Sequence, residues 1–193
     1  MRNEAKPARK AEPDAVLDTC CLVNLAAVDG TLECLANFDL IWHVPTAVQA
    51  EGIFIRTAAD SRDVRRIDLD PAMASGVVYI CAPADDTEAA LYVGYALSLD
   101  DGEAMALAIA KNRGWKLATD DRKAQVKAKE AGVVLVTTPE LMHVWALRTG
   151  CAEMEAARTL RRIETLARFA PSDDSPAARW WRQIASKGSD DVR

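Results

Sequence analysis

Acidic side chains stand where apolar segments of this sequence end. The acids concerned are Asp18, Glu51, Glu103, Asp120 and Asp121. Asp18 follows the apolar residues 15–17, and Asp120 and Asp121 follow residues 116–119. In an open sheet of parallel strands, residues just beyond the carboxyl ends of the strands meet at one edge. Carboxylates crowded there repel one another unless a cation neutralises them, and an all-oxygen site suits Mg²⁺ or Mn²⁺. The spacing therefore predicts a divalent-metal site.

Each acid taken alone has a simpler structural interpretation. Asp18 could cap the helix that follows its strand, and Asp120 and Asp121 could cap a later one. Glu103, in the first turn of its helix, would favour the positive end of the helix dipole. Glu51 could be an exposed residue at the end of a helix. Independent caps have no reason to occur in this order along the chain, so the joint pattern favours the metal site.

Short apolar segments alternate with helical segments along most of the chain. The predicted strands are residues 15–17, 39–44, 77–80, 116–119 and 133–136. The predicted helices are residues 22–27, 31–36, 45–51, 86–97, 101–113 and 122–131. Residues 53–76 fit neither period well, and we expect a helix around residues 57–66. The alternation predicts an α/β fold with helices on both faces of a mostly parallel sheet.

Beyond residue 138 the pattern becomes wholly helical, with helices predicted over residues 139–147, 151–169 and 176–185. Trp180 and Trp181 on the last helix are expected to dock it on the body of the protein or on a partner. The chain then divides into a flexible N-terminal extension (1–13), an α/β domain (14–148) and a helical C-terminal extension packed on that domain (149–193).

Composition restricts the class of protein. The 193 residues are 50% hydrophobic, which suffices for one sizeable core. The net charge of −5 argues against coating of nucleic acid by bulk electrostatics, although basic residues cluster within 111–129 and 56–66. No apolar run approaches the roughly 20 residues needed to cross a bilayer, and no secretory peptide is recognisable. Five cysteines without a C-x-x-C pair favour a reducing, cytoplasmic location.

Four motifs together resemble those of PIN-domain nucleases. LDTCCLVNL is similar to the first motif, in which Asp follows an apolar strand and Thr or Ser starts an apolar helix. VPTAVQAE is similar to the second, which has a proline six residues before a metal-site Glu. GEAMALAIAKNRGWKLATDDRKA is similar to the third and fourth, in which an acid-Ala pair opens a helix and a strand ends in Thr-x-Asp-Arg. All four occur in the family's order.

The resemblance implies a PIN-like α/β/α sandwich over residues 14–148, with a helical tail after it. The implied catalytic and metal-binding acids are Asp18, Glu51, Glu103 and Asp121. Asp120 remains an alternative for the fourth acid. Thr19 would hold a carboxylate or a bound water in place, and Asn24 would line the pocket. Glu at position 103, where Asp is commoner, is typical of a subgroup with a Gly-Glu-Ala motif.

The implied activity is hydrolysis of RNA phosphodiester bonds with one or two Mg²⁺ or Mn²⁺ ions, which lower the pKa of a water and stabilise charge on the phosphate. Arg122, Lys123 and Lys127, on the helix after Asp121, would hold the RNA backbone. The resemblance also implies a toxin of the VapC type, with a small antitoxin protein as partner and a homodimer as assembly. No membrane partner is expected.

Two other interpretations stay open. A catalytically silent PIN fold could act as a binding module, with the C-terminal helices as its interface, but intact acids at all four positions count against it. A receiver-like phosphoryl-transfer domain would need a lone acceptor Asp at the end of a middle strand. The predicted strand 77–80 is followed by Cys81 and Ala82, which disfavours that class.

Overall fold

A five-stranded sheet, parallel throughout, forms the centre of the computed structural model, which describes residues 13–187. The strands in chain order are β1 (Asp14–Leu17), β2 (Ile41–Pro45), β3 (Phe54–Arg56), β4 (Val64–Arg66), β5 (Val78–Cys81), β6 (Lys116–Ala118) and β7 (Leu135–Val136). The central sheet has the order β5-β2-β1-β6-β7, while β3 and β4 form a separate two-stranded sheet. The chain therefore builds the central sheet outwards from β1, first to one side and then to the other.

The reversal of strand order lies between β1 and β6. These two strands pair directly, with Leu17 opposite Ala118, so both end at the same level of the sheet. The connections from β1 and from β6 then leave in different directions, which opens a crevice beyond the two carboxyl ends. Ligands of open α/β sheets bind at such switch points.

Ten helices are found within residues 13–187. They are α1 (Thr19–Ala26), α2 (Thr31–Ala36), α3 (Thr46–Ala50), α4 (Asp70–Ala74), α5 (Asp86–Tyr95), α6 (Asp101–Arg113), α7 (Arg122–Glu130), α8 (Thr138–Thr149), α9 (Glu153–Arg162) and α10 (Ala178–Lys187). A π-helical turn, Ile163–Ala167, continues α9. The predicted α/β/α sandwich with a helical C-terminal tail is confirmed.

Alternate residues of the strands face two different apolar layers. Leu17 and Ala118 lie in the layer that contains α1, α2, α8, α9 and α10. Val16 and Leu117 face the other layer, which is filled mainly by α6 and α7. Because both faces are covered, most residues of the central strands are apolar.

The prediction of a helix around residues 57–66 was wrong, because this region is part of an antiparallel hairpin. β3 pairs with β4, with Phe54 opposite Arg66 and Arg56 opposite Val64. Ile55 between them is buried, and the connection is a turn rather than a helix. Ile55 is the one buried residue of the two strands, which is too little to show a strand period in a charged sequence. The short helix α4 after the hairpin was not predicted either.

The C-terminal helices pack against the layer that contains α1 and α8. Trp181 is fully buried, and its ring nitrogen donates to Glu164 at 2.8 Å. Its neighbour Trp180 stacks on His143 of α8, with 4.7 Å between the ring centroids. α10 is thus attached to the rest of the chain through both tryptophans, as the sequence suggested.

The ends of the chain lie outside the described residues. The predicted N-terminal extension falls there except for Pro13, and so do residues 188–193. Within residues 13–187, no helix is both long and apolar enough to cross a membrane. All five cysteines lie in this range and are free thiols.

One ion pair connects α5 to α6. The Glu88 carboxylate is buried and accepts from Arg113 Nε at 2.7 Å and Nη2 at 2.8 Å. Asn112 Nδ2 and the backbone N–H of Ala84 also donate to it. The hydrogen bonds from Arg113 lower the pKa of Glu88 to about 2, against the opposing effect of burial. Glu88 therefore stays ionised inside the protein.

We expect Arg113→Ala to lower the free energy of unfolding by about 3 kcal/mol, because it leaves a buried carboxylate without its cation. Urea denaturation at neutral pH measures this. Arg122→Ala is the matched control, because Arg122 and Asp174 form a largely exposed ion pair that should contribute less than about 1 kcal/mol.

The pH dependence gives a second test of the pair. A carboxyl whose pKa is lowered by folding stabilises the protein above its ordinary pKa and loses that effect as it is protonated. The difference between wild type and Arg113→Ala should therefore shrink as pH falls from about 4.5 towards 2. A difference that stays constant over this range would contradict the assignment.

Candidate active site

Asp18 is fixed at the switch point by contacts with both central strands. Its backbone N–H donates to Ala118 of β6 at 3.1 Å, which continues the β1–β6 pairing by one residue. Its carboxylate accepts from the backbone N–H of Thr19 at 2.7 Å, from Thr119 Oγ1 at 2.8 Å and from Cys20 Sγ at 3.2 Å. Burial raises the pKa of Asp18, and these hydrogen bonds oppose the rise. Asp18 is thus both the N-cap of α1 and a carboxylate of the crevice.

Glu51 reaches the same region from the end of α3. Thr19 Oγ1 donates to Glu51 Oε2 at 3.1 Å, which joins the start of α1 to the end of α3. On its other side, Glu51 lies against the first turn of α6. A Cβ atom at Gly102 would stand only 2.7 Å from Glu51 Oε1. The glycine before Glu103 therefore lets two acidic residues from different elements approach each other.

Glu103 and Asp100 form a capping box at the start of α6. The Glu103 N–H donates to Asp100 Oδ1 at 2.9 Å, and the Asp100 N–H donates to Glu103 Oε2 at 3.4 Å. Burial, followed by the negative charges of Asp100, Asp121 and Asp18 in that order, raises the pKa of Glu103 to about 7. Four carboxylates from three segments thus act on one another.

Sequence reasoning assigned Asp100 no chemical role. Its position three residues before Glu103 fits an Asp-x-x-Glu capping box, and that pattern could have placed it beside the site. We call Asp18, Glu51, Asp100, Glu103 and Asp121 together the acidic site.

The two adjacent aspartates after β6 point in different directions. Asp121 caps α7, since its Oδ1 accepts from the N–H groups of Lys123 at 2.8 Å and Ala124 at 2.9 Å. Its Oδ2 accepts no hydrogen bond from residues 13–187. Both carboxylate oxygens of Asp120 instead accept hydrogen bonds from the protein's interior. Asp121 is therefore the one of the pair that joins the acidic site.

Asp120 forms hydrogen bonds with both the start of α8 and the inner side of α1. Its Oδ1 accepts from the N–H of Thr138 at 3.0 Å. Its Oδ2 accepts from Asn24 Nδ2 at 2.9 Å and from Cys21 Sγ at 3.2 Å. Asn24 is itself buried and donates also to Thr138 Oγ1, so it supports Asp120 rather than lining the surface of the crevice.

Within the described part of the chain, the acidic site is left without a cationic partner. Among residues 13–187, no lysine or arginine forms an ion pair with any of its five carboxylates. In the same range, the one set of three metal-ligating side chains whose ligand atoms all lie within 4.8 Å of one another is Cys20, Cys21 and Asp120. No three carboxylates of the acidic site come that close, as expected of like charges without a counter-ion.

The set of Cys20, Cys21 and Asp120 is better explained as an internal hydrogen-bond network. Burial raises the pKa of the Cys21 thiol well above its ordinary value, so it carries the proton that it donates to Asp120. Cys20 Sγ accepts from the N–H of Asp120 at 3.1 Å. These contacts connect the loop after β6 to α1 beneath Asp18.

Comparison with known protein families gives a match over most of the chain. A family model described as a PIN domain matches residues 14–164. The chain belongs to the PIN-domain family. No curated protein matches the sequence. PIN domains are nucleases that generally use divalent metals, so this one is a phosphodiester hydrolase by class and nucleic acid is its class of substrate.

The basic residues after Asp121 differ in whether they already form ion pairs within this PIN domain. Arg122 pairs with Asp174 at 3.3 Å, and Lys127 pairs with Glu130 at 2.9 Å. Lys123 forms no ion pair with residues 13–187 and is exposed. Of the three predicted contacts to a nucleic-acid backbone, Lys123 needs the least rearrangement to make one.

The different roles of Asp120 and Asp121 can be tested by the free energy of unfolding of variants. Asp120→Asn should lower the free energy of unfolding by about 1–3 kcal/mol, because an amide group would then face the donors of Asn24 or Thr138. Asp121→Asn should change it by less than about 0.5 kcal/mol, since Asn caps a helix as well as Asp does. Urea denaturation of the two variants measures both. Equal losses, or a larger loss for Asp121→Asn, would contradict these roles.

Proposed function

We propose that this PIN domain is a divalent-metal-dependent endoribonuclease whose catalytic acids are Asp18, Glu51, Glu103 and Asp121. The observation that carries the proposal is the unneutralised acidic site, in which burial and neighbouring carboxylates raise the pKa of Glu103 to about 7. Glu88 elsewhere in the chain shows the contrast, because its arginine partner lowers its pKa to about 2. A site that binds a cation from solution leaves its carboxylates uncompensated, as around Glu103. An arginine already compensates Glu88.

The donor set fits a hard divalent ion. The side chains that would hold Mg²⁺ or Mn²⁺ offer carboxylate oxygens only, and they come from β1, α3, α6 and the loop before α7. One or two such ions, when bound, would lower the pKa of a water and stabilise negative charge on the attacked phosphate and the leaving oxygen.

The chain's own residues hold the acids in position. Thr119 Oγ1 and the N–H of Thr19 fix the two oxygens of Asp18, and Thr19 Oγ1 orients Glu51. Asp121 Oδ1 caps α7, and Asp121 Oδ2 accepts no hydrogen bond from residues 13–187. Neutral donors do all of this, so the site retains its negative charge for the metal. Lys123, with Arg122 and Lys127 near it, would contact the RNA backbone.

The assignment to RNA and to a toxin rests on the motifs. LDTCCLVNL and the Gly-Glu-Ala segment are similar to those of VapC-type toxins, which supports a cytoplasmic ribonuclease toxin with a small antitoxin protein as its partner. The exposed apolar residues Val93 and Leu97, 63% and 88% accessible, support a further protein contact such as a homodimer.

The central test replaces each acid by its amide. In Mn²⁺ or Mg²⁺, purified protein should cleave a mixed RNA, and EDTA should stop the reaction. Asp18→Asn, Glu51→Gln, Glu103→Gln and Asp121→Asn should each lower the rate on the order of 100-fold or more, because several kcal/mol of transition-state stabilisation are lost. Asp101→Asn is the control, since Asp101 lies on the same helix turn but bonds to Tyr92.

The outcomes separate this proposal from its alternative. Cleavage that survives two or more of the four amide variants would overturn the site. Failure of folded wild-type protein, with Mn²⁺ bound as judged by a thermal shift, to cleave several RNAs would favour a catalytically silent binding module that uses the C-terminal helices.

The toxin assignment has its own test. Induction of the wild-type chain in a bacterial host should arrest growth, whereas Asp121→Asn at equal protein level should not. Co-expression of the small reading frame next to this one should restore growth. Growth unaffected by an active nuclease would leave the ribonuclease in place and overturn the toxin role.

A further inference from the structure

The hairpin of β3 and β4 presents an unusual outer face. Because opposite residues of an antiparallel pair share a face, Phe54, Arg56, Val64 and Arg66 lie on one side of it. Ile55 points to the other side and is buried. On the outer face, Phe54 is 51% exposed and Val64 is 55% exposed. A half-exposed phenylalanine on a hairpin that already has a buried anchor is not needed for packing.

Phe54 stands next to the acidic site along the chain. Only Gly52 and Ile53 separate it from Glu51. Gly52 turns the backbone with a φ of +68°, and a Cβ atom there would lie 3.0 Å from Phe54 Cε2. The ring therefore rests on the backbone that directly follows Glu51, with its remaining surface open to solvent.

An unpaired cation lies across the hairpin from this ring. Arg66 is the residue opposite Phe54, is exposed, and forms no ion pair or hydrogen bond with residues 13–187. Arg66 also lines a cleft of about 220 Å³ with Gln49 and Ile67, in which Asp68 and Asp70 supply the opposite charge. The outer face thus combines one aromatic surface with one guanidinium that, within residues 13–187, is near acidic side chains but forms no ion pair.

An aromatic ring beside a free arginine is the combination that binds single-stranded nucleic acid. The ring offers a stacking surface to any base, and the guanidinium offers a contact to the adjoining phosphate. A base can reach Phe54 only when it is unstacked, so a duplex cannot use the platform.

We propose that Phe54 and Arg66 form a platform on which one base of a single-stranded RNA stacks beside the acidic site. This inference rests on the proposed ribonuclease function and adds to it a subsite for one unpaired base of the bound strand. The platform acts in binding and positioning the strand, and the acids alone act on the phosphodiester bond.

The test compares variants that keep the fold and the acids intact. Phe54→Leu removes the ring but retains an apolar side chain. Val64→Ala is the matched control, since it removes exposed apolar surface from the same face of the hairpin without removing a ring. Arg66→Gln removes the cation. Affinity for a fluorescent single-stranded RNA is measured by anisotropy with Ca²⁺ in place of Mn²⁺, and cleavage of single-stranded and duplex RNA is measured with Mn²⁺.

Phe54→Leu should weaken single-strand binding about tenfold and raise KM similarly, with kcat little changed. Phe54→Trp retains an aromatic ring, so it should bind single-stranded RNA more tightly than Phe54→Leu does. Arg66→Gln should weaken binding and lower the slope of its salt dependence by about one. Val64→Ala should change affinity less than twofold, and duplex cleavage should be slow in every variant.

Two results would overturn the platform while leaving the nuclease in place. One is a wild-type enzyme that cleaves RNA with Phe54→Leu equally active and equally tight in binding. The other is a Val64→Ala variant that loses as much affinity as Phe54→Leu, which would indicate a non-specific apolar contact. A wild-type protein that neither binds nor cleaves any RNA would overturn the proposed function together with the platform.

Discussion

Mutual repulsion among carboxylates is the constraint around which the switch point is built. Asp18, Glu103 and Asp121 are held near one another without any lysine or arginine from residues 13–187 paired to them. Burial, together with the charges of the neighbouring carboxylates, raises the pKa of Glu103 to about 7. The protein stabilises this arrangement only with neutral donors, such as Thr119 and the N–H of Thr19 on Asp18. An arginine would neutralise the site more effectively, as Arg113 does for Glu88, but it would also occupy the position that a metal ion needs. Stability is therefore gained elsewhere, in the apolar layers on both faces of the sheet.

The end of β6 shows how one dipeptide serves both structure and chemistry. Successive residues of an extended chain point in opposite directions, so Asp120 and Asp121 cannot face the same space. Asp120 turns inwards and joins α8 to α1 through Thr138, Asn24 and Cys21. Asp121 turns outwards and caps α7 with one oxygen. The internal bonds of the first aspartate fix the loop that presents the second.

The sequence predicted best those features that depend on neighbouring residues. α2 and α6 have the predicted bounds because a left-handed glycine, Gly30 or Gly114, marks one end of each. The parallel sheet followed from apolar strands alternating with helices. The hairpin was missed because its only inward residue in β3 is Ile55, and the sequence around it is charged. Asp120 and Asp121 could not be told apart in advance, since Cys21 and Asn24, which bond to Asp120, are about 100 residues away along the chain. The contact between Glu51 and Gly102 is equally non-local.

Gly102 explains why the third motif has its particular residues. A glycine within the first turn of a helix is unfavourable by roughly 0.5–1 kcal/mol relative to alanine. Here any Cβ would lie 2.7 Å from Glu51 Oε1 and 3.2 Å from Val48 Cγ2, so a larger residue would displace the Glu51 carboxylate and crowd Val48. The next residue, Glu103, adds its carboxylate to the site, and Ala104 after it is fully buried in the layer beneath. Each of the three positions thus meets a different requirement: close approach, charge, and packing. The local cost of the glycine accompanies the close approach of the Glu51 carboxylate to the first turn of α6.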